Sequence, residues 1–279
     1  MIINYIQEIL QKERQKGVNE LYLRSVIKEY LQIIVLNFIY TNKEYKSNLI
    51  FTGGTCLRHL YAIERLSEDL DFDLINEINT EKLVSDIQIY FKSKLLYNDL
   101  QISIKQNGKQ VLLKFPILEE LNLATKSDSN LLYLKLDLSQ IQTKSYTLEK
   151  TTLSKFGYNL IVLHYDLPSL FAGKINAILT RNLLVGKNDK QTIKGRDFYD
   201  LLWYLKKGVK VNIPLLKEKL NDTNLTTSKL QEQITDKVTL ACTTYKTDFK
   251  NDLLPFIKSG EFIEDYINNY LEEYNRYKI

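Results

Sequence analysis

The sequence predicts a mixed α/β protein, a sheet flanked by helices, followed by a mainly helical C-terminal region. Three observations carry this reading. Apolar residues alternate with period two over residues 66–74 and 131–141. They recur every three to four residues over 2–40 and through most of 213–279. Gly and Pro are scarce, 10 and 4 in 279 residues. Average usage is ~12%, so little of the chain is left for long loops.

The elements follow in order. Ile2, Ile6, Ile9 and Leu10 mark a first helix, and Val26, Tyr30, Ile34 and Phe38 a second. Residues 31–40 are apolar nearly all round, which predicts a buried helix. A strand over 48–52 is followed by a helix over 56–65. In the strand over 66–74, Asp69, Asp71 and Asp73 share one face and Leu70, Phe72 and Leu74 the other. A helix over 81–96 precedes two strands in 100–118 joined at Asn107-Gly108, a strong hairpin signal. The strand over 131–141 puts Leu132, Leu134, Leu136 and Leu138 on one face and Tyr133, Lys135, Asp137 and Ser139 on the other. From Asp166, a capping residue with Pro168 in the first turn, the pattern turns helical. A helix over 195–207 ends at Gly208. The change of pattern near residue 160 divides the chain into a core at 1–160 and a helical region at 161–279.

Composition narrows the function. Apolar residues make up 44% and charged residues 26%, which excludes wholesale disorder. The net charge of +4 permits a polyanionic partner without demanding one. Cys56 and Cys242 are too far apart in sequence for a zinc motif and suggest no disulfide framework. No targeting pattern opens the chain, and residues 31–40 are too short a run to span a bilayer. A soluble, cytoplasmic protein with no membrane partner is expected.

Chemistry concentrates in residues 51–74, FTGGTCLRHLYAIERLSEDLDFDL. Gly53 and Gly54 sit between a strand and a helix, where backbone N–H groups can approach a phosphate and the helix terminus adds positive charge. Thr55 can cap that helix or bind a phosphate; a plain strand–helix turn explains the same residues. Three aspartates on one strand face repel one another unless a cation neutralises them or solvent screens them. Oxygen-rich clusters suit Mg²⁺, which takes one or two carboxylates plus substrate phosphates. Asp137 completes a two-ion site if its strand neighbours that of Asp69–Asp73, and is otherwise an aspartate on a solvated face. Lys135 shares its face. Lys174 falls within the stripe Leu170, Phe171, Ile175 and Ile178, so it needs an anion or must snorkel outward. Arg196 and Asp200 have the spacing of an i,i+4 pair, and Asp197 suits a helix N-terminus.

These segments together, GGTCLRHLYAIERLSEDLDFDL, KLDLS, AGKINAILTRN and GRDFYDLLWYL, resemble the AbiEii/AbiGii toxin family. These are nucleotidyltransferase-like toxins of type IV toxin–antitoxin and abortive-infection systems, within the DNA polymerase β-like superfamily. The resemblance covers roughly residues 50–207 in chain order. It implies a nucleotidyltransferase core whose active site the C-terminal region completes. By position, Gly53, Gly54, Thr55, Arg58 and Ser67 match nucleotide-binding residues. Asp69 and Asp71 match metal ligands, with Asp137 in the looser third place. Lys174 matches a lysine engaging the triphosphate, and Asp197 a catalytic or metal-site partner. The gap from the glycines to Asp69 is long for the superfamily, which leaves Asp71 with Asp73 open as the metal pair. The implied substrates are a nucleoside triphosphate and RNA, foremost tRNA, with Mg²⁺ as cofactor and a separately encoded antitoxin as partner. A small-molecule nucleotidyltransferase and a non-catalytic nucleic-acid- or protein-binding module on the same scaffold are the alternatives. Lys217, Lys219, Lys229, Lys237, Lys246 and Lys250 are candidates for a collective RNA-binding stripe.

Overall fold

In a computed structural model, which describes residues 2–124, 129–181, 183–185 and 190–278, the chain divides into two units. The first comprises Met1–Ile141 with Glu149–His164, the second Gln142–Leu148 with Tyr165–Ile279.

The first unit opens with helices α1 (Ile2–Arg14) and α2 (Glu20–Thr41), the latter capped by Asn19, whose side chain accepts from the Tyr22 N–H. Ile27, Leu31, Ile33, Ile34, Val35, Leu36 and Ile39 are wholly buried. The all-round apolarity has its cause here: α2 packs against α1, against α4 (Thr80–Lys94) and against the sheet. Strand β1 (Leu49–Thr52) runs directly into α3 (Gly53–Leu60), and β2 (Leu70–Leu74) follows. Then come β3 (Gln101–Lys105), a 3₁₀ turn (Gln106–Gly108), β4 (Gln110–Pro116), β5 (Leu131–Gln140), β6 (Leu148–Lys155) and β7 (Tyr158–Tyr165).

The seven strands form one mixed sheet in the order β3-β4-β5-β2-β1-β7-β6. β2 is antiparallel to β1 and parallel to β5, while β4 is antiparallel to both β3 and β5. The predicted alternation of β5 is realised, with Leu132, Leu134, Leu136 and Leu138 all buried.

Two boundaries differ from expectation. The helix expected over 56–65 occupies Gly53–Leu60, so both glycines lie in its first turn. The strand expected over 66–74 begins only at Leu70, because Arg65 and Ser67 are buried and hydrogen-bonded in the approach to it.

Among its described residues the second unit is mainly helical, with a short antiparallel pair, β8 (Leu183–Val185) and β9 (Lys190–Thr192). Its helices are α5 (Leu167–Thr180), α6 (Gly195–Lys206), α7 (Ile213–Leu220), α8 (Thr227–Cys242), α9 (Lys246–Leu253) and α10 (Gly260–Tyr277). The Asp166 carboxylate accepts from the Ser169 N–H, so the expected cap is formed. Phe171 of α5 stacks on Tyr204 of α6, with ring centroids 4.4 Å apart. Ile263, Ile267, Tyr270 and Tyr274 form the buried stripe of α10. No helix among the described residues is long and apolar enough to cross a membrane.

Candidate functional site

In the first unit the candidate residues gather where β1 turns into α3. Thr52 is the extended residue preceding α3, and Gly53 adopts a left-handed backbone with φ +74°. A Cβ at Gly53 would stand 2.1 Å from Asp71 Oδ2. That carboxylate therefore lies directly against the turn, and glycine is required both for the backbone and for the approach. A Cβ at Gly54 would stand 2.5 Å from Arg65 Nη2 and 3.3 Å from Ser67 Oγ.

Thr55 does not cap the helix. Its hydroxyl is buried inside the first turn, 2.8 Å from Ser67 Oγ, and also bonds the Asp69 carbonyl. Gln32 of α2 reinforces this layer: its amide donates to the Ser67 carbonyl at 2.9 Å and its oxygen lies 3.1 Å from His59 Nε2. Burial drives the His59 ring down to about 3, so it is neutral at physiological pH. Gln32 and Arg65 were not identified from sequence. Arg65, only 2% exposed, is the largest side chain in the core and carries no pattern that distinguishes it from a surface arginine.

The condition placed on Asp137 is met. β2 and β5 are parallel neighbours, and Asp71 pairs directly with Asp137 and Asp73 with Ser139. Gln110 of β4, opposite Asp137, donates to its carboxylate at 2.8 Å. Lys135 Nζ lies between two of the carboxylates, 2.8 Å from Asp69 and 3.0 Å from Asp137. Burial raises the Asp69 carboxyl above its ordinary value despite that ammonium, with Glu68 adding to the rise. Burial alone would lower Lys135, but its bonds to Asp69 and Asp137 raise it. Among the described residues, no three His, Cys, Asp or Glu side chains form a ready metal-ligand set. Arg58 is engaged away from the aspartates: its guanidinium pairs with Glu29 of α2 and donates to the Ile63 carbonyl at 2.9 Å. Glu29 also holds Lys155, at 2.9 Å.

In the second unit Lys174 has found an anion, and it is supplied by the protein. Its side chain is 12% exposed, and the ammonium lies 2.8 Å from Asp197 Oδ1 and 2.7 Å from Asp200 Oδ2 of α6. The Asp197 carboxylate is also paired with Arg181. Burial opposes ionisation of Asp197, but Lys174 and Arg181 outweigh it and hold the carboxyl below its usual value. Lys194 is lowered by burial and by Arg196 and Arg181 nearby.

The helical spacing suggested Arg196 with Asp200. Asp200 is fully buried and bound to Lys174 of α5, and Arg196 joins Asp252 of α9, with its N–H 2.9 Å and its Nε 3.2 Å from Oδ2. Gly195 explains the contact: a Cβ there would stand 2.5 Å from the Phe249 carbonyl oxygen, so α9 presses on the start of α6. The C-terminal lysines are spread over α7, α8 and α9, and two are ion-paired, Lys229 with Asp222 and Lys250 with Glu264. Asn182, in the third segment of the resemblance, lies outside the described residues.

Comparison with known proteins bears on the fold and the family. Among solved structures, the chain is similar to MenT4, the nucleotidyltransferase toxin Rv2826c from Mycobacterium tuberculosis H37Rv. The two share 12% identity with a TM-score of 0.53, over 96% of this chain and 89% of that one. It is also similar to JHP933 from Helicobacter pylori, at 17% identity and a TM-score of 0.50 over 90% of each chain. At such identities the likeness establishes the fold. A search of curated proteins finds no match. The family profile described as nucleotidyl transferase AbiEii toxin, type IV TA system, matches residues 37–276. Spanning both units and every candidate residue, that match shows that the chain belongs to the AbiEii family of nucleotidyltransferase toxins of type IV toxin–antitoxin systems.

Proposed function

We propose that this enzyme acts in the cytoplasm, transferring a nucleoside monophosphate from a nucleoside triphosphate to RNA, with tRNA as the acceptor, and so blocks translation. Family membership carries the nucleoside triphosphate substrate and an antitoxin partner. The observation that supports the reading most directly is the pairing of Asp71 with Asp137 across β2 and β5, with Asp71 against the Gly53-Gly54 turn.

The donor set is all oxygen. It fits a cation that takes one or two carboxylates and completes its shell with phosphate oxygens and water, which is the habit of Mg²⁺. Asp71 and Asp137, paired across β2 and β5, would hold it, and Asp69 would join them in a two-ion arrangement by exchanging its bond to Lys135 for the cation. When bound, Mg²⁺ supplies charge neutralisation at the triphosphate and activation of the attacking oxygen. The residues of the chain do the positioning. The N–H groups of the glycine turn face the phosphates, and Thr55 and Ser67 keep that turn in register with Asp69. Lys135 is already bound to two of the carboxylates and partly offsets their repulsion. In the second unit, the family resemblance assigns Lys174 to the triphosphate, and Asp197 and Asp200 hold its ammonium. In the reaction, the acceptor hydroxyl oxygen bonds to the α-phosphorus. The α–β phosphoanhydride bond breaks, pyrophosphate leaves with the electron pair, and the hydroxyl proton passes to water.

The test is incubation with each labelled triphosphate and total tRNA, with and without Mg²⁺. One triphosphate should label tRNA only with the metal present, and Asp71→Asn should abolish labelling. Failure of every triphosphate to label RNA, with transfer to a small hydroxylated acceptor instead, would overturn the RNA reading.

A further inference from the structure

The sheet face that carries Asp71 and Asp137 continues beyond them. Paired residues of neighbouring strands share a face, so the register lays out its rows. One row runs Lys105, Gln110, Asp137, Asp71 across β3, β4, β5 and β2. Two residues further along β5, Ser103, Leu112 and Lys135 form the next row, and Lys135 reaches Asp69. The row beyond it is Gln101, Lys114 and Tyr133. The opposite face of β4 and β5 is the buried one, lined by Val111, Leu113, Phe115 and the four leucines of β5. Tyr133 is 40% exposed, a large aromatic side chain on the face it shares with Lys114, Lys135 and Leu112. Among the described residues, neither Lys105 nor Lys114 is ion-paired. Four residues of strand separate Tyr133 from Asp137, or ~13 Å.

We propose that this face is the acceptor track, on which Tyr133 stacks a base of an unpaired RNA end while Lys114 and Lys105 hold its phosphates. The inference rests on the RNA nucleotidyltransferase reading and deepens it. An acceptor hydroxyl placed at Asp71 and Asp137 must have the rest of its chain lying somewhere within reach, and the open face beside the carboxylates is the adjacent surface. Its cations match a phosphate backbone, and an aromatic ring on a sheet face binds any base with an accessible π-face. In a duplex those π-faces are stacked on one another, so the track selects a single-stranded end.

The experiment measures labelling of total tRNA, of a short single-stranded RNA and of a blunt duplex of the same sequence, by wild type, Tyr133→Ala, Tyr133→Trp and Lys114→Gln. Losing one stacked base should raise the KM for tRNA and single strand roughly 5- to 150-fold in Tyr133→Ala. The KM for the triphosphate and the melting temperature should stay unchanged, and Tyr133→Trp should restore the RNA KM. Lys114→Gln should weaken RNA use and flatten its salt dependence. An unchanged RNA KM in Tyr133→Ala, an equal rise in both KM values, or equal use of the blunt duplex overturns the track. Its failure is distinct from failure of the underlying reading, which wild type alone reports by labelling no RNA at all; that result removes the track as well.

Discussion

Gly53 and Asp71 are fitted to each other: the backbone is left-handed and the carboxylate occupies the space a side chain would need. Gly53→Ala should therefore displace Asp71 and remove most of the transfer activity. Lys174 behaves differently from what its sequence position suggests. A lysine in an apolar stripe invites replacement by methionine, but here that change takes the ammonium away from buried Asp200 and leaves Asp197 to Arg181. Breaking such a buried pair costs ~3–5 kcal/mol. Lys174→Met should lower the unfolding free energy obtained from urea titration by a matching amount, and adding Asp200→Asn should recover part of the stability but none of the activity. Unchanged stability in Lys174→Met would show that the two aspartates are satisfied without it. His59 gives a pH signature of definite sign. Its folded value, about 3, lies below the ordinary 6.5, so the unfolded chain binds the proton first as pH falls. The stability it contributes is complete above pH 6.5 and is lost progressively as pH falls from there toward 3. Stability curves of wild type and His59→Gln should accordingly converge across that interval; parallel curves would mean the ring titrates normally.

Among the elements, what could be read from sequence was what local periodicity determines. β5 alternates because one face meets the core and the other does not, and α2 is apolar all round because it is covered all round. Strands β6 and β7 left no comparable pattern. β6 lies at the sheet edge with only Leu153 fully buried, and three of the last four residues of β7 are apolar. The aspartate face of β2 was legible, and so was Asp137, conditionally on a strand order that no local pattern contains. The partners of Lys174 and Arg196 were not legible, since Asp197, Asp200 and Asp252 reach them only through the packing of α5, α6 and α9. The same packing makes Gly195 a sharp test. A methyl group there must push against the Phe249 backbone, which cannot rotate away as a side chain tip would. Gly195→Ala should cost ~1–3 kcal/mol by overpacking and loosen the Arg196–Asp252 bond. A crystal structure of the variant with α6 and α9 unmoved would contradict this account.

For the whole molecule the deciding quantity is the response to salt. A net charge of +4 is modest, and the C-terminal lysines are distributed over three helices with two already paired, so bulk charge does not make this a polyanion binder. Any grip on RNA must then come from a few placed cations. Each phosphate of a single strand that is neutralised contributes ~0.7 to the slope of log affinity against log salt. If Lys105 and Lys114 make two such contacts, Lys105→Gln with Lys114→Gln should lower the slope by about 1.4. Neutralising Lys217 and Lys219 together should change it little. The measurement is RNA-binding affinity, and in parallel transfer rate, over a range of salt concentrations for the three proteins. The triphosphate supplies an internal control, because its binding depends on the aspartate cluster and the glycine turn, which both double variants leave intact. A slope lost with Lys217 and Lys219, and retained without Lys105 and Lys114, would move the acceptor to the helical unit. A wild-type slope near zero would instead favour a small uncharged acceptor, because a chain of phosphates cannot be gripped by lysines without releasing counterions.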